Sequence, residues 1–471
     1  MKKEVKFAII ADPHYYSEKL GNSGFAYTMR ANSDQKMLAH SRAVITAALE
    51  EIKNSDAEFL LIAGDLTNEG ERVSHEEMRH LLYDFQKNMP VYVITATHDW
   101  CSSGKPKRFE GNKFYSDVET LKPEELRDYY KDFGPQEALS EFFTHQNKSS
   151  YVIRPVDGVS VFCLDDDQDG NGNSGYSEEH FNWIKQEVEK AKSRGDKIFG
   201  MQHHHMLLTE FDRVINGKSS VERKERLCRD FADIGLSIMF TGHSHMHHIR
   251  RIENENGNHF YEFNVASVCG YPAPIVYCTL TEDGIDTKTE HLKKYIYNGT
   301  EYTNAHLKAH ATFLFENVLN SAKKNSKIEF ITLLTAIGVP GKKAKKMWLF
   351  AGDFLKLINS LSVYHTAKIL NFFTFGKAIN KNDAKQLKDV QLTDMIFSAF
   401  HSILDGSIIK HPVGTAYYNV FTRALSLPLK IVKKLRIKNN SIIRILTHIE
   451  KASHEIMTGG EIDANKAMLR F

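Results

Sequence analysis

The stretch "VKFAIIADPH", Val5 to His14, carries the reading on which the fold turns. Its apolar run stops at Asp12, too soon for the core of a secretion signal, and reads as a buried strand. Asp12 and His14 then stand where that strand ends. A helix-period segment near 35–54 follows, then the run "FLLIAG" (59–64), the helical pattern "SHEEMRHLLYDFQ" (74–86) and the run "VYVIT" (91–95). Strand, helix and strand at this spacing predict right-handed crossovers and a parallel sheet with covered faces. Runs at 151–153, 159–164, 197–202 and 236–242 extend the pattern, while those at 247–252, 259–267 and 275–280 lack full helices between them. A mixed two-sheet sandwich flanked by helices, an α/β/β/α arrangement over residues 1–290, accounts for all of these runs.

After about Asp286 the character changes. Residues 300–471 show helical periodicity and few strand signals. They predict a smaller all-α unit with breaks at "GVPGKK" (338–343), "HPVG" (411–414) and "SLP" (426–428), in which "ILNFFTFGKAI" (369–379) reads as a core helix. Charge divides the chain at the same place. Residues 301–471 hold 25 Lys+Arg against 12 Asp+Glu, and residues 1–300 hold 36 against 47. An acidic front and a basic back argue for two units. The apolar share of 42% and charged share of 25% exclude a disordered or fibrous chain. Cys101, Cys163, Cys228, Cys269 and Cys278 are odd in number and unpaired in spacing. They exclude a disulfide framework or Cys-rich zinc site and fit a reducing, cytoplasmic setting. No apolar run approaches the ~20 residues of a transmembrane helix.

Five blocks that end apolar runs carry the chemistry: "DPH" (Asp12, His14), "GDLTNEG" (Asp65), "THD" (His98, Asp99), "QHHHM" (His203, His204, His205) and "GHSH" (His243, His245). Ligands of open α/β sheets bind beyond the carboxyl ends of the strands, so these loops converge on one cleft. Imidazole together with carboxylate is the ligand chemistry of Zn, Mn and Fe. Any one block alone reads equally well as a surface turn; the five in order do not.

That order, D-x-H, G-D, N-H-D/E, H and G-H-x-H, resembles the calcineurin-like metallophosphoesterases over about residues 5–282. Within them the chain is most similar to bacterial class III cyclic-nucleotide phosphodiesterases, including members with a helical C-terminal domain. The resemblance implies two divalent or trivalent metal ions, Mn, Fe or Zn, bridged by Asp65. Asp12, His14 and His245 would complete the first site. His204 and His243, with the third-motif residue Thr97, would complete the second. His204 is chosen because the family reads H-x-P there, and Met206 falls where that Pro would be. His203 and His205 would then point elsewhere, since neighbours alternate on an extended chain. His247 and His248 read as ordinary strand residues.

The implied reaction is hydrolysis of a phosphodiester, with a cyclic nucleotide as the small substrate in view. Paired cations lower the pKa of a bridging water, and the hydroxide attacks phosphorus in line with the leaving oxygen. His98 matches the family's catalytic His, which protonates the leaving group or stabilises the pentavalent state. Asp99 would orient the His98 ring or cap the following turn. A phosphomonoesterase, nuclease or lipid-head-group hydrolase of the same fold, or a non-catalytic phosphate-binding scaffold, remains open. Selectivity would sit in loops such as 15–34 and 100–123.

The third motif departs from the family. Where P-G-N-H is usual, this chain reads Thr95-Ala96-Thr97-His98. A Thr hydroxyl is a poorer ligand than an Asn amide oxygen, and Ala96 would be strained if the site needs φ > 0. A weaker second metal is the expected result.

Two further features stand outside the resemblance. "DQDGNGNSGYSE" (167–178) fits a calcium loop through Asp167, Asp169, Asn171, Gly172 and Glu178, although a strand and not a helix precedes it. A polar loop next to the cleft is the plainer reading. "GKKAKKMW" (341–348) and "LKIVKKLRIKNNSIIRIL" (429–446) read as basic amphipathic helices. They suit a peripheral membrane surface or anionic partner, a self-packed core with solvated Lys, or docking on the acidic front half. No specific nucleic-acid-binding motif is present.

Overall fold

The structure is a computed structural model. It describes residues 4–102, 104–167, 174–215, 218–323, 326–328, 330–331, 341–346, 348–349, 360–406 and 411–471. The strands are β1 (Val5–Ile10), β2 (Phe59–Ala63), β3 (Val91–Ile94), β4 (Arg108–Glu110), β5 (Lys113–Tyr115), β6 (Ser140–Phe143), β7 (Ser149–Val156), β8 (Val159–Cys163) and β9 (Lys197–Met201). They continue as β10 (Ile238–Thr241), β11 (His248–Glu253), β12 (His259–Asn264), β13 (Pro274–Leu280), β14 (Gly284–His291), β15 (Lys294–Tyr297), β16 (Thr300–Thr303) and β17 (Lys466–Arg470).

One sheet runs β17-β14-β13-β1-β2-β3 and the other β11-β12-β10-β9-β8-β7-β6. β1, β2 and β3 pair in parallel, as do β8, β9 and β10, whereas β13 and β14 add antiparallel edges. Alternation decides which side chains fill which layer. Phe7, Ile9 and Ala11 face Phe199, Met201 and Phe240 between the sheets, with Phe7 stacked 4.9 Å from Phe199. Ala8 and Ile10 face outward onto Ile45, Ala48 and Leu82 of the helices Ser41–Lys53 and Arg72–Gln86. Phe162 and Met239 face outward onto Ile184 and Phe231 of the helices Glu178–Ser193 and Lys218–Ile234. Burial on both faces is why the strands read as continuous apolar runs. The expected sandwich is the one observed.

The basic back half holds the helices Asn304–Lys323, Val363–Phe373, Lys381–Gln386, Leu392–Asp405, Ala416–Lys434 and Asn440–Thr458. It differs from the sequence reading in three ways. The helix Ala416–Lys434 runs through Pro428 instead of breaking at "SLP". Phe372, Phe373 and Phe375 of the expected core helix are 77%, 74% and 90% exposed. The chain does not end in helix: β17 pairs antiparallel with β14, Leu469 opposite Ile285. Much of the "GVPGKK" break lies outside the described residues.

The helices are fastened to the front half by polar contacts. The Tyr271 hydroxyl of the front half donates to the Asp405 carboxylate, which Lys308 Nζ of the helical half also meets at 2.6 Å. The helix Asn440–Thr458 packs on Glu210–Ile215, with His448 Nδ1 2.7 Å from Glu210 Oε2. Among the described residues no helix is long and apolar enough to cross a membrane.

Candidate metal centre

The parallel β1–β2 ladder continues past the strands. The Asp12 N–H donates to the Gly64 carbonyl (3.2 Å) and the His14 N–H to that of Asp65 (2.9 Å). This brings the first two motifs side by side. Asp12, His14, Asp65, His243 and His245 all adopt positive φ, 51°, 44°, 50°, 72° and 55°. The left-handed region is sparsely used by non-glycine residues, and such strain collects at functional sites. The glycines ahead of two of them have steric reasons. A Cβ on Gly64 (φ 83°) would lie 2.7 Å from His203 Nδ1, and one on Gly242 would lie 2.3 Å from Asp12 Oδ2.

Three sets of donors converge: Asp12, His14 and His245; His14, Asp65 and His98; and Asp12, Asp65 and His203. In the first, His14 Nε2 and His245 Nε2 face each other at 2.9 Å, with Asp12 Oδ1 at 3.7 and 3.4 Å from them. Asp65 Oδ2 is 3.8 Å from His14 Nε2 and 3.1 Å from His203 Nε2. Asp65 thus stands between the two halves, where a bridging ligand belongs. The His243 N–H donates to both Asp12 oxygens at 3.0 Å, and its ring lies 5.3 Å from that of His203.

The fourth motif needs a correction. His203, not His204, reaches Asp65. The second sheet's hydrogen bonding continues past β9: the Gln202 N–H donates to Phe240 O (3.0 Å) and the Gly242 N–H to His203 O (3.0 Å). Phe199, Met201 and His203 therefore share the face that looks across to the first sheet. His204 turns its Nδ1 to the Asp166 carboxylate at 3.1 Å, with its ring 4.4 Å from that of His243.

The third motif also resolves. His98 Nδ1 bonds the Asn68 carbonyl, and its backbone N–H donates to Asp65 Oδ1 (3.0 Å). A carbonyl only accepts, so Nδ1 carries the proton and Nε2 is left for the cleft. Asp99 does not orient this ring. Its carboxylate accepts from the N–H and hydroxyl of Thr67 (2.9 and 3.1 Å) and from the Ala96 N–H (2.8 Å), which makes it the turn's cap. Burial, with the charge of Asp65 next, pushes Asp99 up to about 7. Thr97 is buried at the strand end. Ala96 is not among the positive-φ residues, so the loss of the family's glycine causes no strain.

Sequence reasoning missed the supporting residues. Gln35 Nε2 lies 2.6 Å from His245 Nδ1, and the Ala63 carbonyl lies 2.9 Å from His203 Nδ1. Lys36 is a buried cation whose charge, after burial itself, holds His14 well below the ordinary histidine value. None of these stands in a motif; only their fold neighbours reveal them. Glu262 on β12 accepts the N–H groups of Met206 and Leu207 (2.7 and 2.6 Å) and so holds the His203–His205 loop. Burial pushes its carboxyl from 4.5 up to about 7. Between those values the unfolded chain ionises while the folded one keeps its proton, so this group makes stability fall as pH rises. A Glu262→Gln variant is expected to melt lower throughout, because an amide N–H would face a backbone N–H. Its melting temperature should change less than the wild type's between about pH 5 and about pH 8.

The donors fit a pair of metal ions. His203 Nε2 is buried and lies 3.1 Å from Asp65 Oδ2 without the alignment of a hydrogen bond. His203 and His98 have Nδ1 engaged by a carbonyl, which leaves Nε2 to ligate, the usual support for a metal-bound imidazole. Burial opposes a charge on His203, but Asp65 outweighs it and raises the ring to about 10. The calcium reading is less well supplied. Asp169, Asn171 and Gly172 lie outside the described residues, Asp167 Oδ2 is taken by Lys148 Nζ at 2.8 Å, and Glu178 opens a helix in solvent.

Comparisons with known proteins agree with the family reading at the level of the fold's catalytic unit. No curated protein matches the chain. Among solved structures, a dimetal phosphatase from Danio rerio matches at 11% identity and TM-score 0.41, covering 64% of this chain and 99% of that one. A 5'-nucleotidase precursor from Thermus thermophilus matches at 12% and 0.36, covering 67% and 60%. The NAD nucleotidase of Haemophilus influenzae matches at 12% and 0.32, covering 76% and 61%. Likenesses this distant say nothing of substrate. The family model for calcineurin-like phosphoesterases matches residues 5–247, just over half of the 471. The chain, with its five motifs gathered at one cleft, belongs to the calcineurin-like phosphoesterases.

Proposed function

We propose that the protein is a dinuclear metal-dependent phosphohydrolase that cleaves a phosphodiester, with cyclic nucleotides as the first substrates to try. One observation carries this: Asp12, His14, Asp65, His203 and His245 converge with His98 at the strand ends of two sheets. Asp12, His14 and His245 would hold one ion, His203, His243 and Thr97 the other, and Asp65 would join them. Bound there, the ions would supply positive charge for the phosphoryl oxygens and an activated water.

The chain's own groups do the rest. The Asn68 carbonyl fixes the His98 ring, so Nε2 meets the leaving oxygen in a set direction. As a cation that nitrogen donates a proton to the leaving group. The His98 N–H on Asp65 Oδ1 keeps the ring in step with the carboxylate beneath it. Burial of Asp12, His14 and Asp65 keeps bulk water from screening the charges that act on phosphorus.

His98→Ala is expected to lower kcat on an alkyl phosphodiester by about a hundredfold or more with Mn²⁺ present. An aryl diester, whose leaving group needs no proton, should lose less. Wild-type rates no higher than the variant's would sink the enzymatic reading.

Lys36 favours a second reading. Its charge acts on both His14 and His98, and although Asp34 lies 3.4 Å from its Nζ, a buried cation suits the dianion of a phosphomonoester better than the monoanion of a diester. Comparing kcat/KM for matched aryl mono- and diesters decides between them. We also propose a cytoplasmic setting, supported by the buried free thiols of Cys163, Cys228, Cys269 and Cys278.

A further inference from the structure

We propose that the helical unit docks the protein on an anionic lipid surface. Three observations meet there. The first is the end of the helix Val363–Phe373 and the turn that follows it. Phe372, Phe373 and Phe375 are 74–90% exposed, and Ile369 of the last helical turns is half exposed. Side chains of this size are seldom left together in water without an apolar medium to enter. Phe375 and Gly376 both have positive φ, 53° and 78°, so the phenylalanine sits at the apex of a tight turn.

The second is the end of the helix Ala416–Lys434 and the loop beyond it. Exposed Ile431, Leu435 and Ile437 alternate with exposed Lys430, Lys433, Lys434, Arg436 and Lys438. From Gly406 to Ile449 the chain holds eight Lys+Arg and no Asp or Glu. Apolar and basic side chains interleaved without acids are the composition of an interfacial segment on anionic lipid.

The third is that these two features are joined. The Arg423 Nε donates to the Ala378 carbonyl (3.2 Å), pinning the phenylalanine turn to the basic helix. Between them lies a cavity of about 820 Å³. Lys377, Arg423 and Lys430 line it, against two acids, Asp383 and Glu450. Phenylalanines would enter the acyl boundary while the lysines and this cavity meet phosphorylated head groups.

Charge argues against other occupants. A second copy meeting it face to face would bring the same basic surface and be repelled. Single-stranded nucleic acid would use the phenylalanines for stacking, but Ile431, Leu435 and Ile437 offer bases no π face.

The test uses the full chain and its binding to vesicles by flotation. Vesicles of phosphatidylglycerol and phosphatidylcholine at about 3:7 should bind it, phosphatidylcholine alone should not, and added salt should release it. Phe372→Ser, Phe373→Ser and Phe375→Ser combined should weaken binding by about tenfold or more. Lys433→Ala and Lys434→Ala should each weaken it by about fivefold. Unchanged melting temperature and aryl phosphate hydrolysis would show that the variants fold. No binding to anionic vesicles by folded wild-type protein overturns the proposal. So does binding that the phenylalanine variant retains in full. Tighter binding to single-stranded RNA than to vesicles, lost in the same variants, would make this a nucleic-acid surface instead. Displacement from vesicles by millimolar glycerol phosphate would reduce it to a soluble-phosphate site.

Discussion

Asp65→Asn is expected to lower the phosphohydrolase rate by about a thousandfold or more, because that factor corresponds to only about 4 kcal/mol of the stabilisation a metal pair supplies. Asp65 Oδ2 lies between His14 and His203, and its Oδ1 accepts from the His98 N–H. One carboxylate therefore serves both halves of the site and the catalytic motif. An amide can still accept from the His98 N–H. Its NH₂, however, would face His203 Nε2 and bring a donor where a ligand oxygen is needed. Both metals should be lost together, so elemental analysis of the purified variant should find less than one bound ion. Retention of two ions with full activity would remove Asp65 from the centre of the mechanism.

The second large effect separates two neighbours. His203→Asn should abolish tight binding at the second site and cost at least about a hundredfold in kcat. His204→Asn removes a side chain that contacts Asp166 and lies against His243, so its cost should stay within the about 10–100-fold typical of groups that support a ligand. Raising the Mn²⁺ concentration should restore much of the His204 variant's activity and little of the His203 variant's. The reverse ranking would return the ligand role to His204. Glu262→Ala offers a related check, since freeing the Met206 and Leu207 N–H groups should loosen both histidines at once.

The misplaced histidine shows how far the sequence could be read. Alternation along "KIFGMQHHHM" correctly predicts that adjacent histidines point to opposite sides. Which side faces the partner sheet is not legible, because Ile198 and Phe199 are both buried, one under helices and the other between sheets. Strand ends were legible for a different reason: five apolar runs in order that each stop at Asp or His have few other uses. Asp12, His14, Asp65 and His245 stand in such blocks, and their donor atoms fall within the converging groups. Lys36, Gln35 and Asn68 could not be found this way. They act through a buried charge, an amide in a loop and a backbone carbonyl, which leave no pattern of spacing. In the helical half, "ILNFFTFGKAI" is core only in part: Ala378 and Ile379 are buried and Leu370 packs on them, whereas Phe372, Phe373 and Phe375 are exposed, because apolar content alone does not distinguish a buried stripe from an exposed one. Lys368 just before it and Lys377 within it are the available hint.

β17 gives the domain boundary a practical meaning. Because Lys466–Arg470 closes the free side of β14, the helical unit is a loop-like excursion from the first sheet, tethered at both ends. A chain cut at residue 290 would keep every proposed metal ligand yet leave β14 as an unprotected edge, open to pairing with another molecule. Such a fragment is expected to self-associate, and supplying Lys466–Phe471 as a separate peptide should relieve it.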